Sequence, residues 1–243
     1  MDVTVTVVYD NNTYDTGLET AWGFSCLVQG DGKTVLFDTG GDGHLLIRNL
    51  MRLHIDPNEI EIIVLSHEHD DHTGGIDEVL RKNSSAEVFL LQSFTEGFKT
   101  RIREFGSPVF EVKLPVQIAE NICLTGSLGT GTTIREQSLM IRTKKGVLVV
   151  TGCAHPGIVG ILRHAKELME AEIFLVMGGF HLKDKNRKEL LEIIADFEKT
   201  EVKHVAPCHC TGTQAIQYFR SAYQQAFIDT GIGKIVRCTA FSN

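Results

Sequence analysis

Positive charge and long apolar runs are both scarce in this sequence of 243 residues. Its formal net charge of −7 disfavours a nucleic-acid or anionic-membrane surface, because such surfaces need clustered Lys and Arg side chains. No apolar run approaches the roughly 20 residues that a membrane-spanning helix requires. With 42% hydrophobic and 23% charged residues, the composition is that of an ordinary soluble globular protein. We therefore expect neither nucleic acid nor membrane as a partner.

Disulfide motifs and a secretion signal are also missing. The six cysteines are too widely spread for a small disulfide scaffold, and none form Cys-x-x-Cys, so buried free thiols are expected. Residues 1–8 alternate with a period of two and contain no basic segment, which predicts a strand and not a signal peptide. A cytoplasmic protein is the resulting expectation. Cys153, Cys208 and Cys210 each lie within two residues of a candidate ligand histidine, so a ligand or redox role for them stays open.

Nucleotide-binding and nucleophile motifs are not found either. Residues 126–131 are Gly-rich, but they lack the Lys-Ser/Thr of a P-loop and the spacing of a dinucleotide-binding turn. A flexible loop is the better interpretation of that segment. No Ser or Cys nucleophile motif occurs.

The most informative stretch that is present covers residues 66–75, which contain His67, His69, Asp71 and His72 and end in two glycines. It directly follows an apolar run at residues 60–65, so a strand is predicted to end at a ligand-rich turn. Imidazoles and carboxylates suit borderline divalent ions such as zinc. The histidines at positions 67 and 69 can point the same way, whereas positions 71 and 72 emerge one step later. This spacing favours two adjacent metal subsites over one four-ligand cage.

Hydrophobic periodicity predicts an α/β protein with no recognisable linker, and hence one domain over residues 1–243. Strands are expected at 3–8, 24–29, 33–38, 61–66, 87–91, 109–112, 122–125, 138–142, 146–151, 172–177, 203–206 and 234–238. Helices are expected at 42–53, 74–82, 93–104, 157–170, 186–199 and 212–226.

Further candidate ligands follow other predicted strands. A faint repeat of strand, polar turn, helix and strand places Asp38, His155, His181 and His209 at carboxyl-terminal strand ends, where α/β sheets collect ligands. Two such halves facing each other would bring these distant residues together in one cleft. Asp38 could stabilise a turn or hold the second nitrogen of a ligating imidazole.

At this point the chain resembles the metallo-β-lactamase superfamily over nearly its whole length. The order of residues 37–40, the 67–72 cluster, His155 and His209 is that of the family. Several segments also look like its dihydropteroate-synthase-like branch, which is named for an archaeal enzyme that joins a dihydropterin to ribofuranosylaminobenzene phosphate. These segments are 8–12, 19–25, 136–139, 151–159, 178–182 and 208–212.

The resemblance implies a four-layer αβ/βα sandwich, in which two mixed sheets pack face to face with helices outside. It also implies a one- or two-metal site in the cleft between the sheets, with Zn²⁺ as the expected divalent ion and Mn²⁺ or Fe²⁺ as alternatives. Carried across residue by residue, the first metal would be held by His67, His69 and His155. The second would be held by Asp71, His72 and His209.

One position departs from the family pattern. Most members have an Asp that bridges the two metals at the end of the strand that here ends at Met177, but Gly178 and Gly179 follow instead, and then His181. Either His181 or water would fill the bridging position, or only one subsite binds tightly. As catalytic residues the sequence suggests Asp71 and His181, with Glu19 and Glu136 added by motif position for substrate contact or proton transfer.

The function predicted from these residues is that of a metal-dependent enzyme acting on an anionic small molecule, either a phosphate ester or a pterin- or ribose-phosphate-like compound. Bound ions would polarise substrate or activate water. The reaction could be hydrolysis or a synthase-like transfer. Two alternatives remain: a metal-binding protein without turnover, and an iron-dependent redox enzyme of the same fold.

Overall fold

The structure, a computed structural model, describes residues 2–131 and 134–238. The strands β1 to β13 are Val3–Asp10, Phe24–Gly30, Lys33–Phe37, Ile62–Val64, Glu87–Leu91, Val109–Val112, Val116–Ala119, Ile122–Leu124, Leu139–Thr143, Gly146–Thr151, Ile173–Gly179, His204–Cys208 and Ile235–Cys238. The helices α1 to α7 are Gly43–Arg52, Asp70–Thr73, Ile76–Lys82, Glu96–Glu104, Ile158–Met169, Arg187–Lys199 and Thr213–Tyr223. None of the helices in the described ranges is both long enough and apolar enough to span a membrane.

The strands form two mixed sheets. The first has seven strands in the order β13-β1-β2-β3-β4-β5-β6, and the second has six in the order β12-β11-β10-β9-β8-β7. Strands β3 to β6 are parallel to one another, as are β10 to β12, so each sheet has one edge at which several carboxyl-terminal strand ends meet. Candidate ligands follow β4, β10 and β12 at these ends.

The second sheet is buried on both faces, and its strand β10 shows how. Leu148 and Val150 belong to the core between the sheets, whereas Val147 and Val149 belong to a second core shared with α5, α6 and α7. Because successive side chains in a strand point to opposite faces, a continuous apolar run satisfies both cores. Helices α1, α3 and α4 pack on the first sheet. The predicted four-layer sandwich is therefore confirmed.

The predicted elements agree with the structure to within about two residues at each end, apart from four differences. The predicted helix 212–226 ends earlier, at Tyr223. Strand β7 was not predicted; it is half-exposed at the edge of the second sheet and begins just after Pro115, which weakens the apolar signal. The single-turn helix α2 lies inside the ligand-rich turn and was not predicted. The helix predicted at 74–82 begins after it, at Ile76. The predicted start of the fourth helix moves from 93 to Glu96, because Thr95 caps it by accepting from the backbone N–H of Phe98.

Candidate metal centre

The ligand-rich turn leaves β4 and carries its histidines into the space between the sheets. The His67 ring is fully buried, and its Nε2 lies 3.1 Å from Nδ1 of His69. Ser66 Oγ donates to Asp38 Oδ2 at 2.7 Å and lies 2.8 Å from Nδ1 of His67. If Nδ1 of His67 donates to this hydroxyl, Nε2 keeps its lone pair.

His155 completes the first donor set. It follows β10 of the second sheet, yet its ring centroid is 4.6 Å from that of His67. One donor atom each from His67, His69 and His155 lie within 4.8 Å of one another. This is the spacing that three ligands of one ion require, so the structure brings together the three residues predicted for the first metal.

Glu136 holds His155 in place. Its carboxylate is buried and accepts the backbone N–H groups of Cys153, Ala154 and His155 at 2.8–2.9 Å, as well as Nδ1–H of His155 at 2.9 Å. Burial alone would raise the pKa of Glu136, but the hydrogen bond from His155 and the neighbouring imidazoles hold it well below its usual range. Glu136 was predicted to contact substrate or transfer a proton, and the structure corrects this: its buried carboxylate, with four donors, positions the loop and turns Nε2 of His155 toward the centre.

The second donor set joins α2 to the turn after β12. Donor atoms of Asp71, His72 and His209 lie within 4.8 Å of one another, although 138 positions separate Asp71 from His209. Nδ1 of His72 lies 2.7 Å from Asp38 Oδ2, and Nδ1 of His209 lies 2.9 Å from Asn11 Oδ1. Asp38 thus holds the second nitrogen of a candidate ligand, the outer-shell role considered for it in the sequence.

The charge state of the rings suits metal binding. Burial lowers the pKa of His67 to about 3 and that of His72 to about 4, so both rings are neutral at pH 7 and can offer a lone pair. Burial raises the pKa of Asp38 to about 7, and its Oδ2 lies 2.7 Å from Nδ1 of His72. Nε2 of His209 is buried without a hydrogen bond, 3.3 Å from Asp71 Oδ2. A buried ring nitrogen with no partner is the feature that a bound cation would satisfy.

Gly178 and Gly179, which replace the bridging Asp of most family members, leave no room for a side chain. Gly178 has a positive φ of 113°, and a side chain there would overlap the carbonyl oxygen of Thr151. A side chain on Gly179 would overlap the carbonyl oxygen of Gly152 and approach Sγ of Cys210 to 2.7 Å. These glycines allow β10, β11 and the turn after β12 to pack closely, so no bridging carboxylate can be placed at either position without moving the backbone.

The remaining predicted site residues lie at the rim or outside the centre. His181 is exposed, with its ring centroid 4.5 Å from that of His155, and its donor atom is within 4.8 Å of those of Cys153 and His155. Glu19, by contrast, lies in exposed ion pairs with Arg48 and Arg52 at 2.7 and 3.0 Å. The structure does not bring Glu19 to the donor sets, because α1 holds its carboxylate.

Two residues that the sequence did not single out lie beside the centre. The Trp22 indole is 51% exposed, and its ring centroid is 4.9 Å from that of His209. Lys183 Nζ lies 5.5 Å from the Trp22 ring centroid. In the sequence, Trp22 was marked only by its position in the family-like segment 19–25. Lys183 lies outside all of the family-like segments. An exposed aromatic face with a cation above it can bind a flat ring and an anionic group.

The metallo-beta-lactamase superfamily matches residues 23–165 of the sequence, more than half of the chain. The chain belongs to the metallo-beta-lactamase superfamily. Divalent metal binding is what this fold implies, and both donor sets of the described residues are compatible with it.

Individual proteins are similar over nearly the whole chain. The 7,8-dihydropterin-6-methyl-4-(beta-D-ribofuranosyl)-aminobenzene-5'-phosphate synthase of Methanocaldococcus jannaschii is 26% identical, covering 96% of this chain and 95% of that protein. The crystal structure of Tm1679, a metal-dependent hydrolase of the beta-lactamase superfamily, is 29% identical with a TM-score of 0.82, covering 96% and 98%. A diphosphatase from the PhnP family has a TM-score of 0.63 and 19% identity, a likeness of fold alone. The resemblance found in the sequence is confirmed.

Proposed function

We propose that this protein is a metal-dependent enzyme with two adjacent subsites for divalent ions, Zn²⁺ foremost. The observation that carries the proposal is the arrangement of the imidazoles. Nδ1 lies within 2.9 Å of an oxygen of Ser66, Asp38, Glu136 or Asn11 in His67, His72, His155 and His209 respectively. Such partners fix the tautomer that leaves Nε2 free to ligate. Lewis-acid polarisation of a carbonyl or phosphoryl oxygen is the chemistry that such ions supply when bound.

The proposed substrate is an anionic small molecule that includes a flat ring, such as a pterin- or ribose-phosphate-like compound or another phosphate ester. The exposed Trp22 ring beside His209 offers a stacking surface, and the Lys183 ammonium above it supplies the positive charge for an anionic group. The name of the M. jannaschii relative, a synthase of a dihydropterin compound that carries a ribofuranosyl phosphate, supports the same class. The reaction is either hydrolysis of the phosphate ester or transfer to an acceptor.

His181 is the proposed catalytic residue at the open side of the centre. Its imidazole is exposed and adjacent to His155, so it can reach a substrate held at the first donor set. A hydrogen bond with Cys210 raises the pKa of His181 above its ordinary value. We propose that this ring delivers the proton to the leaving group or contacts the anion directly.

The protein is also proposed to be a single domain of the cytoplasm. Its six cysteines are all unpaired in the structure, and free thiols persist in reducing compartments.

The test combines elemental analysis with a substrate screen. Protein loaded with Zn²⁺, Mn²⁺ or Fe²⁺ would be assayed against phosphate esters, and against dihydropterins with and without an aromatic amine acceptor. Trp22→Ala and Lys183→Ala should raise KM for the active compound, because both residues bind it and neither holds the metal. Bound metal without turnover of any compound would favour a metal-binding protein, and absence of bound metal would refute the proposal.

For His181→Ala we expect unchanged metal content and turnover lower by about two to four orders of magnitude, the range for a general acid or base. The matched control is His164→Ala, whose ring bonds the carbonyl oxygen of Thr125 away from the donor sets. Lost metal in His181→Ala would instead make His181 a ligand. Wild-type turnover and metal content together would show that it has neither role.

A further inference from the structure

The Cys153 thiol lies between the two donor sets. Its Sγ is 3.2 Å from Nε2 of His72 in the second set, and it lies within 4.8 Å of donor atoms of both His67 and His72. It is likewise within 4.8 Å of a donor atom of His155, and of one of His209. Cys153 is therefore within ligand spacing of two residues of each set.

The backbone holds this thiol in place. The N–H groups of Cys153 and Ala154 both donate to Oε1 of Glu136, at 2.9 and 2.8 Å, and Ala154 has the left-handed φ of 62° that turns the chain toward His155. The preceding residue must be glycine, because a side chain on Gly152 would overlap Ser66 Oγ. The Glu136 carboxylate therefore fixes both the backbone of Cys153 and the His155 ring at the end of β10.

We propose that Cys153 supplies a thiolate shared by the two metal subsites, in the place that a bridging carboxylate takes in most of the superfamily. This inference rests on the proposed metal centre and deepens it. A thiolate carries the negative charge that Gly178 and Gly179 cannot supply, and it is a ligand suited to zinc and iron rather than magnesium. The centre would then discriminate in favour of softer ions.

The neighbouring Cys210 provides the matched comparison. Its Sγ lies within 4.8 Å of donor atoms of Cys153 and His209, so among the metal ligands it is placed beside the second set. Both thiols are buried at 4% exposure, so differences in access do not distinguish them. Cys153, with donor spacing to residues of both sets, has the position of a shared ligand.

The experiment is a titration of metal-free protein with Co²⁺ alone, followed by absorption. Coordination of cobalt by a thiolate gives a near-ultraviolet charge-transfer band that histidine and carboxylate ligands do not give. The wild type and Cys210→Ala should develop this band while binding two equivalents. Cys153→Ala should lack it, and its affinity for cobalt should fall by at least the roughly 10–100-fold typical of losing an outer partner.

Cys153→Ser keeps the size of the side chain and serves as the folding control, monitored by circular dichroism. It should fold as the wild type does and also lack the band. A band that persists in both Cys153 variants, or that disappears in Cys210→Ala, would overturn the proposal. If the wild type bound cobalt without any thiolate band, the shared ligand would be refuted while the metal centre remained. Wild type that bound no cobalt would refute the metal centre itself.

Discussion

The two donor sets use the same kinds of ligand but are supported differently. In the first set, Glu136 alone fixes His155 and three backbone N–H groups of its turn, so one carboxylate carries much of the support. In the second set the support is divided: Asp38 after β3 holds His72, and Asn11 after β1 holds His209. The first set therefore depends mainly on Glu136, with Ser66 contacting the His67 ring, whereas the second depends on two segments from distant parts of the chain.

The largest effect should come from His67, the buried ligand of the first set whose ring is also close to His72 of the second. His67 has donor spacing with His69 and His155, and also with His72 and Cys153. We expect His67→Ala to lose at least one metal equivalent and to lower the thermal midpoint, since an ion at 100 times its Kd stabilises the fold by about 2.7 kcal/mol. Elemental analysis and thermal unfolding would measure this. The exposed His44, replaced by Ala, is the control, and unchanged metal content in His67→Ala would contradict the assignment.

A somewhat smaller effect tests whether each set acts as a unit. Asp71→Ala and His209→Ala should each lose the same ion, so the double variant should be little worse than either single one, with coupling of about 0.5–3 kcal/mol. Combining Asp71→Ala with His155→Ala, which belongs to the other set, should be closer to additive. Additive loss in the first pair would show that Asp71 and His209 do not share an ion.

Glu136 and Asp38, the carboxylates that hold a histidine of the first and of the second set, can be compared directly. Glu136→Gln should weaken the first metal by about 10–100-fold, and Asp38→Asn should do the same to the second, because both amides can reverse the tautomer of the imidazole they contact. Glu136→Gln should also cost more unfolding free energy, because its amide can satisfy fewer of the four donors. Metal titration together with denaturant unfolding separates the two effects. Equal loss of both metals in each variant would mean that the sets are not independently supported.

The smallest effect concerns Asp10, a buried carboxyl group near His209 of the second set, in the metal-free protein. Burial raises the pKa of Asp10 to about 6. Its stabilising contribution is therefore present below pH 3.8, the ordinary value, and is lost as pH rises through about 6. Asp10→Asn should remove up to about 1.4 kcal/mol per pH unit from the slope of unfolding free energy in this window. Parallel curves for the two proteins between pH 4 and 7 would contradict the assignment.

Sequence periodicity and strand-end reasoning predicted most of this structure. The apolar runs located the strands because their side chains are buried on one or both faces, and the convergence of His155 and His209 with the 67–72 turn followed from parallel strand ends. Strand β7 was not predicted, because a half-exposed edge strand shows no strong alternation of buried and exposed side chains.

The inner details of the site could not be predicted in the same way. The Glu136 interactions are backbone hydrogen bonds across 17 to 19 positions, and nothing in the residue types announces them. The central position of Cys153 depends on how closely β10 packs beside Ser66, which only the three-dimensional arrangement reveals. Trp22 lies beside His209 because of the path of an irregular loop. The sequence therefore predicts which residues can be ligands, whereas the groups that hold those ligands in place depend on the packing of the folded chain.

The contact between Asn11 and His209 joins residues 198 positions apart, and this has a consequence for the order of events in time. Contacts that close long loops form late, because the entropy lost on closure is not repaid until both partners are in place. During refolding, the second metal should therefore be captured after the first sheet and the β12 turn have come together. The rate at which the second metal binds during refolding would then report when folding is complete.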